Sequence, residues 1–325
     1  NSMEIIKYSV ELTIAIGILG ATLRIPRGYF FNNWKSFAVL LFLGMPLMTF
    51  CSAAVACFIF GLDWKSALLI GAIISPTDPI IASSIVTGPL AERYIPDDVR
   101  HTISAESGAN DGLAYPLVML FILLIINPSA EIVPHWILNV LLWETLGAFF
   151  LGTLLGFGTG YLLKWAETKK TIEKTSFLGQ TIALSVLALG LSELTGMNGI
   201  LAVFASGISF DYIVGAKERA EEENVQEAVN TFFTLPIFVL FGLILPWDKW
   251  FALGWSKLVL FLTLLSIFRR VPVIILIYKW IPTLKNRSDA FYTGWFGPIG
   301  IAAFLYAIEG LKHTAKEEMW TLGTL

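Results

Sequence analysis

Charged side chains are scarce in this 325-residue chain, where Asp, Glu, Lys and Arg together make up 14% of the residues. Ordinary soluble domains contain about 25%. Hydrophobic residues make up 56%, the mean hydropathy is +0.71, and the net charge of −3 gives no reason to expect nucleic-acid binding. The composition argues against a soluble enzyme and predicts an all-α polytopic membrane protein embedded in the lipid bilayer.

Cysteine and histidine are also rare. Cys51 and Cys57 lie six residues apart in one apolar run, which supports neither a disulfide framework nor a zinc site. The three histidines, His101, His135 and His313, form no cluster. We therefore expect no cofactor and no bound metal centre.

Ten apolar runs reach the roughly 20 residues that a helix needs to cross a bilayer. The predicted spans are 8–23, 36–61, 66–86, 102–126, 136–163, 177–195, 198–214, 229–246, 256–281 and 289–309. Of the 22 Lys and Arg residues, 14 fall in loops on one side and 6 on the other. The positive-inside bias places the first of these sides in the cytoplasm, so the first span runs inwards.

Asp111 is the strongest functional candidate, because ionisable groups inside a span are costly. The apolar stretch 112–126 is only about 22 Å long as a helix, so 102–111 must be drawn towards membrane depth. Ser107 and Asp111 are four residues apart and can offer a hydroxyl and a carboxylate to one ion. The alternative is that "GANDG" forms an aqueous turn and Pro116 begins a short helix.

Two other spans are interrupted. In "IISPTDPIIASS", Pro76 and Pro79 flank Thr77 and Asp78, which predicts a helix break inside the membrane. The same letters also describe an ordinary Asp N-cap followed by proline at the first helical position.

The second interrupted span is "TGWFGPIGIAAFLYAIEG", where the break residues are Gly294, Gly297, Pro298 and Gly300. A pair of Gly/Pro-interrupted spans, one in each half of a chain, is typical of transporters built from inverted repeats. Half-helix ends of opposite sign would then meet at one point.

Arg269 and Arg270 lie inside the apolar span "LLSIFRRVPVIILIYKWIP". An unpaired guanidinium at that depth is costly, and Glu106 is the natural buried partner. Alternatively, the arginines extend to the cytoplasmic interface, an outcome we expect for one of them.

These residues give the chain a resemblance to the monovalent cation:proton antiporters, in the electroneutral Asn-Asp branch and closest to its fungal-like members. The stretches that carry it are "SPTDPIIASSIV", "ISAESGANDGLAYPLV", "FRRVPVIILIYKWIP" and "GWFGPIGIAAFLYA". The resemblance implies a secondary active transporter, not an enzyme, that exchanges Na⁺, or Li⁺ or K⁺, for H⁺. It also implies an inverted-repeat fold with two crossed discontinuous helices.

The resemblance also implies residue roles. Asp111 resembles the carboxylate that binds either the cation or the proton, with Thr77 and Ser107 as cation ligands and Asp78 as the aspartate of the break. Asn110 stands where electrogenic relatives have a second aspartate, which implies one-for-one exchange.

Glu106 and Arg269 resemble the structural ion pair of the family. Because Arg270 is adjacent to Arg269, it is an open question which of the two arginines pairs with Glu106.

Members of this family have about thirteen spans, so the chain resembles a fragment that lacks the first two and most of the last. The implied core spans are 64–126 and 256–309, and the implied dimerisation spans are 1–61 and 136–163. The remaining spans, within 177–246, are placed in neither the core nor the dimerisation group. The family resemblance implies a homodimer in the plasma membrane.

Three other classes remain open, one of which is a scaffold or sensor that has lost transport. An intramembrane aspartyl protease would need Asp78 and Asp111 to share a proton, although neither follows a Gly-x-Gly-Asp pattern. A cation channel would differ from an exchanger by large currents that ignore an opposing pH gradient.

Overall fold

The computed structural model describes residues 2–126, 132–169, 177–214 and 223–325, and every regular element in these ranges is helical. The first half contains α1 (Ser2–Arg24), α2 (Tyr29–Asn32), α3 (Trp34–Val39), α4 (Met45–Phe60), α5 (Trp64–Ile73), α6 (Pro79–Val86), α7 (Gly88–Tyr94), α8 (Asp97–Leu113), α9 (Tyr115–Ile126) and α10 (Ile132–His135). A π-helical turn, Leu40–Gly44, joins α3 to α4.

The second half begins with the π-helical segment Trp136–Gly147, which continues into the next α-helix. Its helices are α11 (Ala148–Thr168), α12 (Phe177–Thr195), α13 (Gly199–Val214), α14 (Glu223–Ile244), α15 (Trp247–Leu253), α16 (Trp255–Phe268), α17 (Val271–Ile277), α18 (Arg287–Trp295), α19 (Ile301–Thr314) and α20 (Glu317–Gly323). A short 3₁₀ turn, Tyr278–Trp280, follows α17.

Five helical stretches in the described ranges are long and apolar enough to cross a membrane, and a sixth is formed if the bent pair α14 and α15 is one span. They are Met3–Arg24, Trp34–Phe60, Asp97–Ile126, Ile132–Thr168 and Trp255–Trp280. These helices coincide with five predicted spans, and the bent pair with 229–246. The count of ten stays a prediction, because the remaining predicted spans are shorter or interrupted helices.

The two interrupted spans are each built from two half-helices. In the first, α5 ends at Ile73 and α6 begins at Pro79. In the second, α18 ends at Trp295 and α19 begins at Ile301. The positions of proline and glycine in the sequence therefore predicted both breaks correctly.

The helices pack in two groups. α5 packs on α4, α9 and α19, while α6 packs on α8, and α16 packs on α4. α13 packs on α11, α12 and α1. α1 contacts both groups, since it also touches α8 and α19.

Small residues let α11 and α13 approach closely. A Cβ atom added at Gly152 would lie 2.1 Å from the carbonyl oxygen of Ala202, and one at Gly156 would lie 2.2 Å from that of Ser206. Larger side chains at these positions would separate the helices. Such contacts are typical of helix pairs in membranes, where close van der Waals packing drives association.

Asp63 caps the exposed start of the first half-helix, α5. Its Oδ1 accepts from the main-chain amides of Lys65 and Ser66, and its Oδ2 accepts from the Ser66 hydroxyl and the Lys316 ammonium. Partial burial opposes ionisation, but these hydrogen bonds and the positive charge of Lys316 together lower the pKa of Asp63 to about 2.

Candidate functional site

The first break is centred on Asp78, whose side chain caps α6. Its Oδ1 accepts from the amides of Ile80 at 2.7 Å and Ile81 at 2.9 Å, and Pro79 occupies the first helical turn. The N-cap interpretation of this sequence is therefore correct. The cap is unusual in its setting, because Asp78 is only 3% exposed.

The same carboxylate also caps the second break. Oδ2 of Asp78 accepts from the amide of Ile301 at 3.1 Å, at the start of α19. The amide of Asp78 in turn donates to the carbonyl of Pro298 at 2.9 Å. One negative charge thus lies at the positive ends of two half-helices, where the helix dipoles favour it.

Glycine makes this shared cap possible. Gly300 has no side chain of its own, and a Cβ atom added there would lie 1.9 Å from Oδ2 of Asp78 and 2.1 Å from its Cβ. The second break therefore brings its backbone against a carboxylate from the first.

Arg269 binds main-chain carbonyls at the C-terminal ends of α5 and α18, the two half-helices that precede the breaks. Its Nη1 donates to the carbonyl of Ile74 at 2.8 Å, and its Nη2 donates to the carbonyl of Gly297. Weaker contacts of 3.4 Å reach the carbonyls of Ser75 and Pro76. A guanidinium therefore satisfies carbonyls at the C-terminal, negative ends of α5 and α18.

Arg270, and not Arg269, forms the buried ion pair with Glu106. Nη1 and Nη2 of Arg270 lie 2.8 and 2.7 Å from the two carboxylate oxygens of Glu106, while Nε donates to the carbonyl of Thr293 at 3.0 Å. The Glu106–Arg269 pair implied by the family resemblance is wrong in this respect. Both arginines are buried, at 5% and 2% exposure, so the prediction that one of them extends to the cytoplasmic interface is wrong.

Asn110 links α8 to the first break. Its Oδ1 accepts from the amide of Thr77 at 3.2 Å, and its Nδ2 donates to Oγ1 of Thr77 at 2.7 Å and to Glu106 at 3.0 Å. A neutral amide can donate and accept at once, whereas a carboxylate at this position would only accept. Asn110 therefore ties the break to the ion pair.

Asp111 lies inside α8 and is 2% exposed, so the interpretation of "GANDG" as an aqueous turn is wrong. Its Oδ1 is a buried acceptor without a hydrogen-bond partner among the described residues. Unpaired buried polar atoms are rare and costly, so this oxygen is available for a ligand.

Ser107 lies one turn before Asp111 and is fully buried. Its hydroxyl donates to the carbonyl of Ile103 at 2.6 Å. Because this bond uses the hydrogen, lone pairs of the oxygen stay free to accept or to coordinate.

Two contacting residues were not predicted from the sequence. Tyr306 donates its hydroxyl to the main-chain carbonyl of Asp111, and Asn198 donates Nδ2 to the carbonyl of Gly112 at 2.8 Å. The available signal was Pro116, which has no amide hydrogen and so leaves the Gly112 carbonyl without its helical partner. The sequence could not identify which side chains fill that role.

Among the described residues there is no group of three or more His, Cys, Asp or Glu side chains arranged to hold a metal ion. The oxygens of Asp111, Ser107 and Thr77 are hard donors of the kind that alkali cations prefer. Pro76, Pro79, Gly297 and Pro298 all lie at the two breaks as predicted.

The chain is similar to proteins from fungi. It is 32% identical over 320 residues to the Na(+)/H(+) antiporter of Saccharomyces cerevisiae, a match that covers 95% of this chain and 32% of that protein. It is 31% identical over 328 residues to Na(+)/H(+) antiporter 2 of Zygosaccharomyces rouxii, covering 95% of this chain and 39% of that protein. This chain therefore spans less than half the length of either relative.

The fold is similar to that of the sodium proton antiporter MjNhaP1 from Methanocaldococcus jannaschii at pH 8. The TM-score is 0.67 at 19% identity, over 99% of this chain and 83% of that one. The family described as sodium/hydrogen exchanger, transmembrane, matches residues 1–324. The chain belongs to the sodium/hydrogen exchanger family.

Proposed function

We propose that this chain exchanges a monovalent cation, Na⁺ or alternatively Li⁺ or K⁺, for a proton across a membrane. The observation that carries the proposal is the unpartnered Oδ1 of Asp111, buried beside two crossed helix breaks whose other charges are satisfied. Both fungal relatives are named Na⁺/H⁺ antiporters, and these names suggest the two ions that the proposal assigns.

The coupling arises from competition for one carboxylate. A bare carboxylate is expensive to carry through a dehydrated barrier, and either a proton or a cation on Asp111 removes that charge. The empty, ionised site therefore changes its access rarely, whereas either loaded form moves readily. One cation then leaves for each proton that enters.

The cation ligands in this proposal are Asp111, Thr77 and Ser107. Asp78 supports the site differently, because three amides already occupy its two oxygens. Asn110 adds no charge, so a single ionisable group carries the cargo and the exchange is electroneutral. Glu106 and Arg270 neutralise each other and hold α8 in place.

Movement requires a core that shifts against a fixed frame. We propose a core built from the spans of 64–126 and 256–309, and a frame that contains α1 and the spans of 136–163. The packing of α4 on α5 and α16 favours adding 36–61 to the core rather than to the frame. The frame would form the dimer interface of the whole protein in the plasma membrane.

A cavity borders Tyr306, whose hydroxyl donates to the main-chain carbonyl of Asp111. It has a volume of about 210 Å³, and the residues lining it include Lys7, Glu11, Glu193, Tyr306 and Glu309. The ammonium of Lys7 lies 2.8 Å from Glu309 and 3.6 Å from Glu11. The predicted orientation of the spans places these residues near the extracellular surface, so we propose that the cation passes through this cavity.

Proteoliposomes with an acidic interior test the proposal. Addition of Na⁺, Li⁺ or K⁺ to the wild-type protein should dissipate the pH gradient, as followed with a pH-sensitive dye, and should do so without a change in membrane potential. Asp111→Asn should reduce the signal to that of empty liposomes. The control Asp248→Asn changes an exposed aspartate on α15 and should keep full activity.

Retained exchange in Asp111→Asn would contradict the proposal. Large currents that ignore an opposing pH gradient would indicate a channel. Cleavage of a membrane peptide that is lost in both Asp78→Asn and Asp111→Asn would indicate an aspartyl protease, although the amides bound to Asp78 argue against that chemistry.

A further inference from the structure

The helix that carries Asp111 is interrupted directly after it. α8 ends at Leu113 and α9 begins at Tyr115. Pro116 cannot donate to the Gly112 carbonyl, so the helical ladder has no bond at that step. Backbone carbonyls at membrane depth need other partners, because no water is there to supply them.

Two side chains from other parts of the chain supply these partners. Asn198, which lies just before α13, donates Nδ2 to the Gly112 carbonyl at 2.8 Å and accepts from the Leu201 amide at 3.1 Å. Tyr306, on α19, donates its hydroxyl to the carbonyl of Asp111 itself. The main chain that holds the proposed ligand is thus fixed by a phenol from another helix.

Tyr306 connects Asp111 to the contact between the two helix breaks. It lies five residues after Ile301, whose amide binds Asp78, and α19 is therefore anchored at its start by the shared cap. Tyr306 is 2% exposed and also lines the outer cavity. A rotation or shift of α19 would move the phenol and, with it, the backbone of Asp111.

We propose that Tyr306 is a positioning residue for the cation site: its hydroxyl fixes the main chain of Asp111 relative to the second broken helix. This inference rests on the proposed function. Coordination of a dehydrated cation demands ligands held within about 0.5 Å, so loss of the bond would weaken cation binding more than it would slow the movement of the core.

Tyr306→Phe removes the hydroxyl and keeps the ring, so the packing of α19 is preserved. We expect the apparent KM for Na⁺ to rise about three- to ten-fold, the effect of losing one hydrogen bond. We expect Vmax to stay within about two-fold of wild type, since the cargo-bound form still carries no net charge at Asp111. Size-exclusion profiles and unfolding temperatures establish that both proteins are folded.

Tyr29→Phe is the matched control. The hydroxyl of Tyr29 donates to the carbonyl of Asp98 at 3.0 Å, a bond of the same kind to the same helix, but thirteen residues before Asp111. Its loss should leave the KM for Na⁺ unchanged. An equal rise of KM in both variants, or an unchanged KM in Tyr306→Phe, would overturn the assignment.

A second background separates positioning from simple packing. Pro116→Ala restores an amide that can donate to the Gly112 carbonyl, which favours a continuous helix through Asp111. In this background Tyr306→Phe should raise KM less than about two-fold, because in a continuous helix the amide of Tyr115 donates to the Asp111 carbonyl and replaces the phenol. The same rise as in the wild-type background would contradict a positioning role.

The outcomes are distinct from those of the proposed function. If Asp111→Asn abolishes exchange while Tyr306→Phe keeps the wild-type KM, only the positioning role fails. If Asp111→Asn retains exchange, the proposed function itself is wrong, whatever the KM of Tyr306→Phe.

Discussion

The two helix breaks are secured in different ways. The first, at 74–78, carries its own side-chain cap, Asp78, and is bound to α8 by the neutral side chain of Asn110. The second, at 296–300, has no side-chain cap of its own and uses Asp78 instead. Its preceding half-helix, α18, is bound to α8 through the ion pair of Arg270 and Glu106.

This difference assigns a separate function to each of the two helix breaks. The first break supplies side chains, and Thr77 is the proposed ligand among them. The second break supplies main-chain groups, and its Gly300 leaves space for the buried carboxylate of Asp78. Changes in the second break should therefore damage the fold, whereas changes in the first should be milder and should affect the bound ion.

Arg270→Met should have the largest effect on stability. It leaves Glu106 buried without its partner, which typically costs about 3–5 kcal/mol. Replacing both residues, as Glu106→Gln with Arg270→Met, should recover part of this loss. Thermal unfolding of the detergent-solubilised protein measures both values.

A double-mutant cycle then identifies the partner of Glu106. Coupling of Glu106 to Arg270 should be about 2 kcal/mol, and coupling of Glu106 to Arg269 should be below about 0.5 kcal/mol, because Arg270 is the arginine of the two that contacts the carboxylate. Equal couplings would contradict the assignment.

Gly300→Ala should have the next largest effect on stability. Its Cβ would overlap the carboxyl group of Asp78, and overpacking of this kind costs about 1–3 kcal/mol. Pro79→Ala, in the first break, should cost about 1 kcal/mol or less, since alanine also fits the first turn of a helix. Gly190→Ala is the control, because nothing lies within 4 Å of its added Cβ. A Pro79 variant less stable than the Gly300 variant would reverse the comparison.

Thr77→Val should have a smaller effect on stability. It removes the oxygen that accepts from Nδ2 of Asn110, while Asn110 keeps its bond to Glu106, so the expected loss is about 1 kcal/mol. Thr77→Ser keeps the oxygen and should restore most of the stability. A valine variant as stable as wild type would show that this bond does not hold the first break to α8.

The breaks could be predicted because proline and glycine act locally. Pro76, Pro79 and Gly300 interrupt apolar runs whatever surrounds them, and the helices end within a few residues of them. The burial of Asp111 followed from a length argument, since the apolar run after it is too short to span a bilayer. These inferences needed no knowledge of tertiary packing.

The pairing of the arginines could not be predicted in the same way. Arg269 and Arg270 are adjacent, and their directions depend on the junction between α16 and α17, where Pro272 follows within the first turn. The shared cap of Asp78 joins residues more than 200 positions apart. Long-range contacts of this kind have no local signature in the sequence.

The smallest expected effect concerns Asp63, the exposed counterpart of Asp78. Asp63→Asn keeps the oxygen that caps α5, because asparagine caps about as well as aspartate. It removes the charge facing Lys316 and the second oxygen, which accepts from the Ser66 hydroxyl. The side chain of Asp63 is 52% exposed, so solvent screening limits the loss to about 0.5 kcal/mol.

The pH dependence of this loss follows from the lowered pKa of Asp63. Its pKa falls from 3.8 to about 2 in the folded protein, so its contribution is complete above about pH 4 and disappears as the pH falls through 2. The difference in stability between wild type and Asp63→Asn should therefore be constant from pH 5 to 8 and shrink below pH 4. In Lys316→Met the same aspartate substitution should have a smaller effect at neutral pH. A difference that instead grows on acidification would mean that Asp63 is destabilised by its surroundings, and that the exposed cap contributes through its geometry alone.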